Sequence, residues 1–354
     1  MSDTPVYNEA LVKLRNILAK TEQGNDKDYQ DMVTVKNEVI KRYQSVFSAE
    51  KLPQLTREEF HSFLLFENNR HWNGLHRQGP KMCADMQLLR ESLILLVDET
   101  KPIDERLDKV ISKIKGMGKA VSTGILLVVF PDKYGVWNNT SEGALKTLDL
   151  WPEFKHGESF GKRYVKVNDI LNELSRDLNI DLWTLDALWW RLGKDDTDSP
   201  ALGENTDITV SSAIYSQTQG FGLEKHLQEF LRDNWDKTEL GKEWAIYSDA
   251  GDEEAGYEYP CGVGYIDILT KHRAENRWLI IELKRGQTSD KTVGQILRYM
   301  GWVKKELAEP EDKVEGLIIA HDAEDSLKYA ISMVPSVSLK LYEVEFRLKE
   351  CGGY

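Results

Sequence analysis

Two apolar runs near the C-terminal end, GYIDIL over residues 264–269 and WLIIELKRG over residues 278–286, carry charges at positions where a buried strand has no place for a lone ion. That conflict constrains the fold more than any other feature, because a charge embedded in an apolar strand needs a partner or a metal. The stretch between the runs is polar, as a hairpin turn requires. If the runs pair antiparallel about a centre between Ala274 and Glu275, Asp267 falls opposite Glu282. Cross-strand partners have Cα atoms roughly 4.5–5.5 Å apart. Side chains alternate along a strand, so Glu282 and Lys284 point the same way while Leu283 points into the core. Two carboxylates and an amine therefore converge on one patch.

Such a pair of hard oxygen donors suits Mg²⁺ or Mn²⁺; magnesium typically uses one or two carboxylates, keeps waters and takes substrate phosphate oxygens. Asp267 and Glu282 are the expected metal ligands, with the Leu283 carbonyl as a further one. Lys284 is placed to orient an attacking water or to stabilise a pentacovalent transition state. No cysteine or histidine ligand is required. An E-x-K triplet alone is common as a surface ion pair; its setting after Leu279, Ile280 and Ile281 gives it weight.

With VGQILRYMGWV and VEGLIIAH added, the chain from roughly residue 221 to residue 350 resembles the PD-(D/E)XK nuclease superfamily, and specifically its NucS-like (EndoMS-like) endonuclease branch. The resemblance implies a restriction-endonuclease-like α/β (α+β) domain acting on DNA. It assigns Asp267 and Glu282 as metal ligands, Lys284 as the catalytic lysine and Gln295 as the helical glutamine. An acidic residue on the first helix often completes such a site; in LEKHLQEFL, Glu224 is the better match and Glu229 the alternative. The helix reading has its own support. Val293, Ile296, Leu297, Met300 and Val303 follow helical apolar spacing, with Gln295, Arg298 and Trp302 on a neighbouring face.

The net charge of -13 argues against indiscriminate nucleic-acid binding, since phosphate affinity comes from lysine and arginine. Binding would depend on local basic groups such as Lys284, Arg285, Lys291, Arg298, Lys304 and Lys305, and for the last three of these a solvated helix face is an equal reading. Three cysteines, Cys83, Cys261 and Cys351, lack metal-like spacing and are odd in number, which favours a reducing, cytoplasmic setting over a disulfide framework. The N-terminus has no apolar signal core, and the longest apolar run, Ile125 to Phe130, is too short to span a bilayer. A homodimer is expected if both strands of a duplex are cut.

The polar, turn-rich stretch from Gly193 to Gln219 reads as a linker. It separates a mainly α-helical domain (1–194) from the nuclease domain (220–354), with the linker proper over 195–219. Helical patterns before it include EALVKLRNILAK, MQLLRESLILLVDE and ERLDKVISKIK. Around residues 112–130, Lys115, Gly116, Met117, Gly118 and Lys119 read either as a plain helix connector or as the hairpin of a helix-hairpin-helix module. In the second reading the backbone N–H groups, with Lys113, Lys115 and Lys119, hold a nucleic-acid phosphate. The segment also loosely resembles base-excision glycosylases, but Asn138 and Asn139 stand where that branch needs an aspartate. The group His71, Trp72, Asn73, His76, Arg77, Gln78 and the aromatics Trp183, Trp189 and Trp190 suit structural roles better than base or phosphate contact.

These readings combine into a metal-dependent DNA endonuclease serving restriction, phage defence or repair. NucS-type enzymes carry a β-rich region before the nuclease domain, which this helical half does not resemble, so mismatch repair does not follow from the likeness. The alternatives are a non-catalytic nucleic-acid-binding adaptor on a nuclease scaffold and an RNA-directed nuclease.

Overall fold

Local rules explain where many of the helices begin. Thr56 Oγ1 accepts from the Glu59 N–H at 3.1 Å while the Glu59 carboxylate accepts from the Thr56 N–H at 2.9 Å, a capping box that opens the helix Arg57–Leu64. Asp85 accepts from the Leu88 N–H at 3.0 Å at the start of Met86–Val97. Asn138 accepts from the Ser141 N–H at 2.8 Å at the start of Asn139–Thr147. Asn138, in the place where a glycosylase would need its aspartate, is thus a helix cap.

The computed structural model describes residues 4–23, 27–155, 157–195, 227–249, 251–288 and 290–343. The chain divides into two compact units: Met1–Leu202 with Ser248–Ala255, and Gly203–Tyr247 with Gly256–Tyr354. Apart from its first residue, the expected linker over 195–219 lies outside the described residues, as does Glu224. The expected domain start near residue 220 did not anticipate that Ser248–Ala255 groups with the helical unit.

In the helical unit, the three periodic segments form the helices Pro5–Gln23, Met86–Val97 and Ile103–Lys113. The core includes Trp183 and Trp189, each 1% exposed, and the Trp183 indole donates to the Met32 carbonyl at 2.9 Å. Full burial of a large apolar side chain contributes about 1.5–3 kcal/mol. His71 Nε2 lies 2.8 Å from Asp186 Oδ2, and the Trp72 indole donates to the same oxygen at 2.9 Å. His71, Trp72, Trp183 and Trp189 are therefore interior packing, whereas Trp190 is only partly buried and Asn73 is exposed.

The other unit is built on a six-stranded mixed sheet. Its strands are β1 (Trp244–Ile246), β2 (Tyr257–Pro260), β3 (Tyr265–His272), β4 (Arg277–Thr288), β5 (Lys313–Ala323) and β6 (Val337–Leu341). The order is β1-β3-β4-β5-β6, and β2 also pairs with β3. β1 and β2 run antiparallel along successive halves of β3, β3 and β4 form an antiparallel hairpin, and β4, β5 and β6 are parallel. The helix Lys291–Glu306 links β4 to β5, and Asp325–Ser332 links β5 to β6, the crossovers that parallel pairing demands.

Both sheet faces are covered, which is why β4 reads as nearly continuous apolar sequence. Ile280, Leu269 and Ile318 pack with Val293, Ile296, Tyr299, Met300 and Val303 of the helix Lys291–Glu306. On the opposite face Leu279, Ile281 and Leu283 pack with Leu231 and Trp235. The helix seats closely because β5 carries Gly316: a Cβ there would come within 2.9 Å of both Ile296 Cδ1 and Met300 Sδ. Leu297, expected in the apolar stripe, is instead 39% exposed, and Tyr299 is buried on the sheet side.

Candidate active site

The hairpin register decides the geometry of the site. Ile268 pairs with Ile281, Leu269 with Ile280, Thr270 with Leu279 and Lys271 with Trp278. This is the pairing about Ala274 and Glu275 inferred above, and one further step along it brings Asp267 opposite Glu282. Asp267 Oδ2 accepts from the Leu283 N–H at 2.7 Å, fastening the aspartate to the adjoining strand. Lys284 Nζ donates to Glu282 Oε1 at 2.6 Å, as expected for residues two apart on one strand face. The Glu282 side chain is 2% exposed and that of Lys284 26%, so a buried carboxylate is joined to an amine that reaches solvent. Removing one partner of a buried pair is costly, because an uncompensated charge remains.

The helix Lys291–Glu306 supplies the next layer. Gln295 Nε2 donates to Tyr299 Oη at 3.2 Å. Burial pushes the Tyr299 phenol up from its ordinary value; the Gln295 donation pulls it back, and the charges of Glu282 and Asp267 push it up again. Tyr299 is therefore a neutral phenol within the field of both carboxylates. Its hydroxyl also sits against Gly264, where a Cβ would approach within 2.7 Å of Oη and where φ is +138°. From the opposite side, Gln228 Nε2 donates to the Asp267 carbonyl at 3.4 Å.

Tyr299 and Gln228 were not singled out from sequence. A signal for Tyr299 existed, since it stands four residues after Gln295, the spacing at which helix side chains meet. Gln228 had none, because only tertiary packing brings residues 227–234 to β3. Glu229 lies on that same helical stretch and is partly buried. Leu283, the expected carbonyl ligand, is 1% exposed.

The basic residues separate into distinct groups. Arg298 and Lys291 are exposed, and the Arg285 side chain lies outside the described residues. Lys304 is committed elsewhere, donating to the carbonyls of Pro310 at 2.8 Å and Asp312 at 2.7 Å, and Lys305 pairs with Glu306 at 2.9 Å. In the helical unit, Gly116 has φ +86° and turns the chain between Ile103–Lys113 and Lys119–Val129. Lys115 is 73% exposed. Lys119 departs from expectation: it is 1% exposed and bound to Glu142 Oε2 at 2.6 Å, so it presents no charge to a nucleic acid. Its ammonium is a structural counter-ion.

Among the described residues, no group of three or more His, Cys, Asp or Glu side chains is arranged to hold a metal. Asp267 and Glu282 together offer two carboxylates, the donor type that a hard divalent ion takes. Among the described residues, no helix is long and apolar enough to cross a membrane.

Residues 249–345 match the family described as the endonuclease NucS C-terminal domain. Endonuclease NucS of Methanocaldococcus jannaschii is 40% identical over 63 residues, which is 18% of this chain and 23% of that protein. The chain thus spans under a quarter of that relative. A solved structure of an EndoMS–double-stranded DNA complex is 14% identical, covering 41% of this chain and 51% of its own at a TM-score of 0.27. The 8-oxoguanine DNA glycosylase Tm1821 of Thermotoga maritima is 15% identical, covering 53% of this chain and 97% of its own at a TM-score of 0.29. By sequence, the segment 249–345, which carries Asp267, Glu282, Lys284 and Gln295, is similar to the NucS C-terminal domain.

Proposed function

We propose that this protein is a divalent-metal-dependent endonuclease that hydrolyses phosphodiester bonds in DNA, in repair or in restriction of foreign DNA. The observation that carries the reading is the convergence on one hairpin face of Asp267, tied to Leu283 N–H at 2.7 Å, with Glu282 and Lys284, 2.6 Å apart. The family match over residues 249–345 supports the same chemistry.

In this reading Asp267 and Glu282 would hold Mg²⁺ or Mn²⁺, with the Leu283 carbonyl as a further ligand, and Glu224 would complete the site. The bound ion supplies Lewis acidity toward a phosphoryl oxygen and lowers the pKa of water. Lys284 orients the attacking water and neutralises charge on the phosphorus-bound oxygens. Its link to Glu282 keeps the amine aimed along the face where the phosphate docks. Gln295, braced by Tyr299, contacts the scissile strand, and Arg298 and Arg285 hold flanking phosphates.

The test is a substrate panel of supercoiled plasmid and of matched, mismatched and single-stranded DNAs, with RNA as the competing class, each with Mg²⁺, Mn²⁺ or EDTA. Metal-dependent DNA cleavage is expected from the wild type. Replacing Lys284 by alanine removes an electrostatic stabiliser of the transition state and should lower the rate by about 10²–10³-fold. Equal behaviour of wild type and variant across the panel would sink the proposal, and cleavage of RNA alone would move the substrate class.

A further inference from the structure

The segment Ser248–Ala255 reads SDAGDEEA, and four of its eight residues are acidic. It leaves the chain between β1 and β2, yet it groups with the helical unit, and its described residues, 248, 249 and 251–255, lie by the hairpin between the helices Ile103–Lys113 and Lys119–Val129. Its carboxylates meet donors around that hairpin. Glu253 bridges two lysines, Oε2 to Lys81 and Oε1 to Lys115 at 3.5 Å. Glu254 accepts from Gln78 Nε2 at 2.6 Å, and Asp249 receives both terminal nitrogens of Arg163 at 3.2 and 3.4 Å.

The backbone fit is equally close. A Cβ on Gly118, the residue opening the second helix, would fall 2.8 Å from Asp252 Cβ. Gly251, at φ +78°, stands against Ile111. A cleft of about 330 Å³ remains, lined by Ile111, Lys113, Lys115 and Gly116 of the hairpin and by Asp249 and Glu253 of the segment. A glycine-bounded hairpin beside two lysines, approached by an anion with two oxygens, is the arrangement that holds a backbone phosphate.

We infer that Ser248–Ala255 is a built-in phosphate surrogate: it covers the hairpin and competes with nucleic acid for Lys81, Lys115 and Arg163, and it must lift before duplex DNA binds there. The inference rests on the proposal that DNA is the substrate. The contacts are suited to release. Lys81, Glu253 and Lys115 are 45%, 36% and 73% exposed, and ion pairs at that exposure are weak. Burial pushes the Glu253 carboxyl up, but Lys81 and Lys115 outweigh it and hold it below its ordinary value, so the segment is anionic at neutral pH.

The test measures duplex binding to full-length protein carrying Lys284→Ala, in EDTA, across a salt series. The isosteric variant Asp249→Asn, Glu253→Gln, Glu254→Gln should bind about tenfold tighter and with a steeper salt slope, because freed cations release counterions from the DNA. Adding Lys81→Ala and Lys115→Ala should abolish the gain. Glu253→Gln alone, at a position that tolerates exposure, should shift affinity in the same direction by a smaller factor. A charge-matched control, Glu105→Gln, Asp236→Asn, Asp325→Asn, should leave binding near the parent value. Unchanged or weaker binding by the acid-neutralised variants, or an equal gain in the control, overturns the inference. Cleavage by the wild type is scored separately: if it cuts DNA while the neutralised segment gives no gain, only the inference falls. If it neither cuts nor binds DNA, both fall.

Discussion

Asp267 and Leu283 are joined across the β3–β4 hairpin by a 2.7 Å hydrogen bond from backbone N–H to carboxylate, so one acidic group is anchored at the residue between Glu282 and Lys284. The bond does two things at once. It orients the carboxylate, and it satisfies a backbone donor in the interior of the sheet.

Asp267→Asn and Asp267→Ala should therefore differ in stability while sharing a loss of activity. A hydrogen bond to a charged group is worth about 1.5–3 kcal/mol, and alanine leaves the Leu283 N–H without this acceptor. Urea denaturation should show alanine less stable than asparagine by at least about 1 kcal/mol. Equal stabilities would mean that this bond has no structural share.

Tyr299→Phe should keep the ring in the core and remove only the hydroxyl to which Gln295 donates. Loss of one neutral hydrogen bond, about 1 kcal/mol, predicts a several-fold fall in single-turnover cleavage rate with little change in melting temperature. A rate equal to that of the wild type would show that Gln295 is positioned without it.

The buried Glu142 should govern acid stability of the helical unit. Burial pushes its carboxyl up, but Lys119 and Lys146 outweigh that and hold it at about 2, against an ordinary value of 4.5. A folded value below the unfolded one stabilises the native state above about 4.5, and this contribution is lost as pH falls from 4.5 toward 2. Glu142→Gln should flatten that part of the stability–pH curve. At neutral pH, Lys119→Met should cost about 3–5 kcal/mol, since it strands part of a buried charge.

Two glycines should respond unequally to alanine. At Gly161 the new Cβ would lie 2.1 Å from the Asp104 carbonyl oxygen, so backbone must move. At Gly316 it would meet the far ends of Ile296 and Met300 at 2.9 Å, which can turn aside. Thermal unfolding should place Gly161→Ala at or above the ~1–3 kcal/mol usual for overpacking and Gly316→Ala at the lower end.

The chain's own pattern determined more of the site than is common for residues 15 or more apart. A polar turn between two apolar runs, with charges at matching parity, points to the register that aligns Asp267 with Glu282, since a one-residue slip would take the two carboxylates off a shared face. Helix starts at Thr56, Asp85 and Asn138 are equally local, because a cap needs only its own first turn. Tertiary structure alone decided which charges face solvent. Lys119 looks like a hairpin cation until Glu142 and Trp137 are folded over it, and Lys115 looks available until Glu253 arrives from far along the chain. Leu297, expected in the buried stripe, is exposed for the same reason: the seat of the helix on Gly316, not the spacing of its apolar residues, selects the stripe that is buried. Periodicity reports what a segment can bury; only the partner that packs on it determines what it does bury.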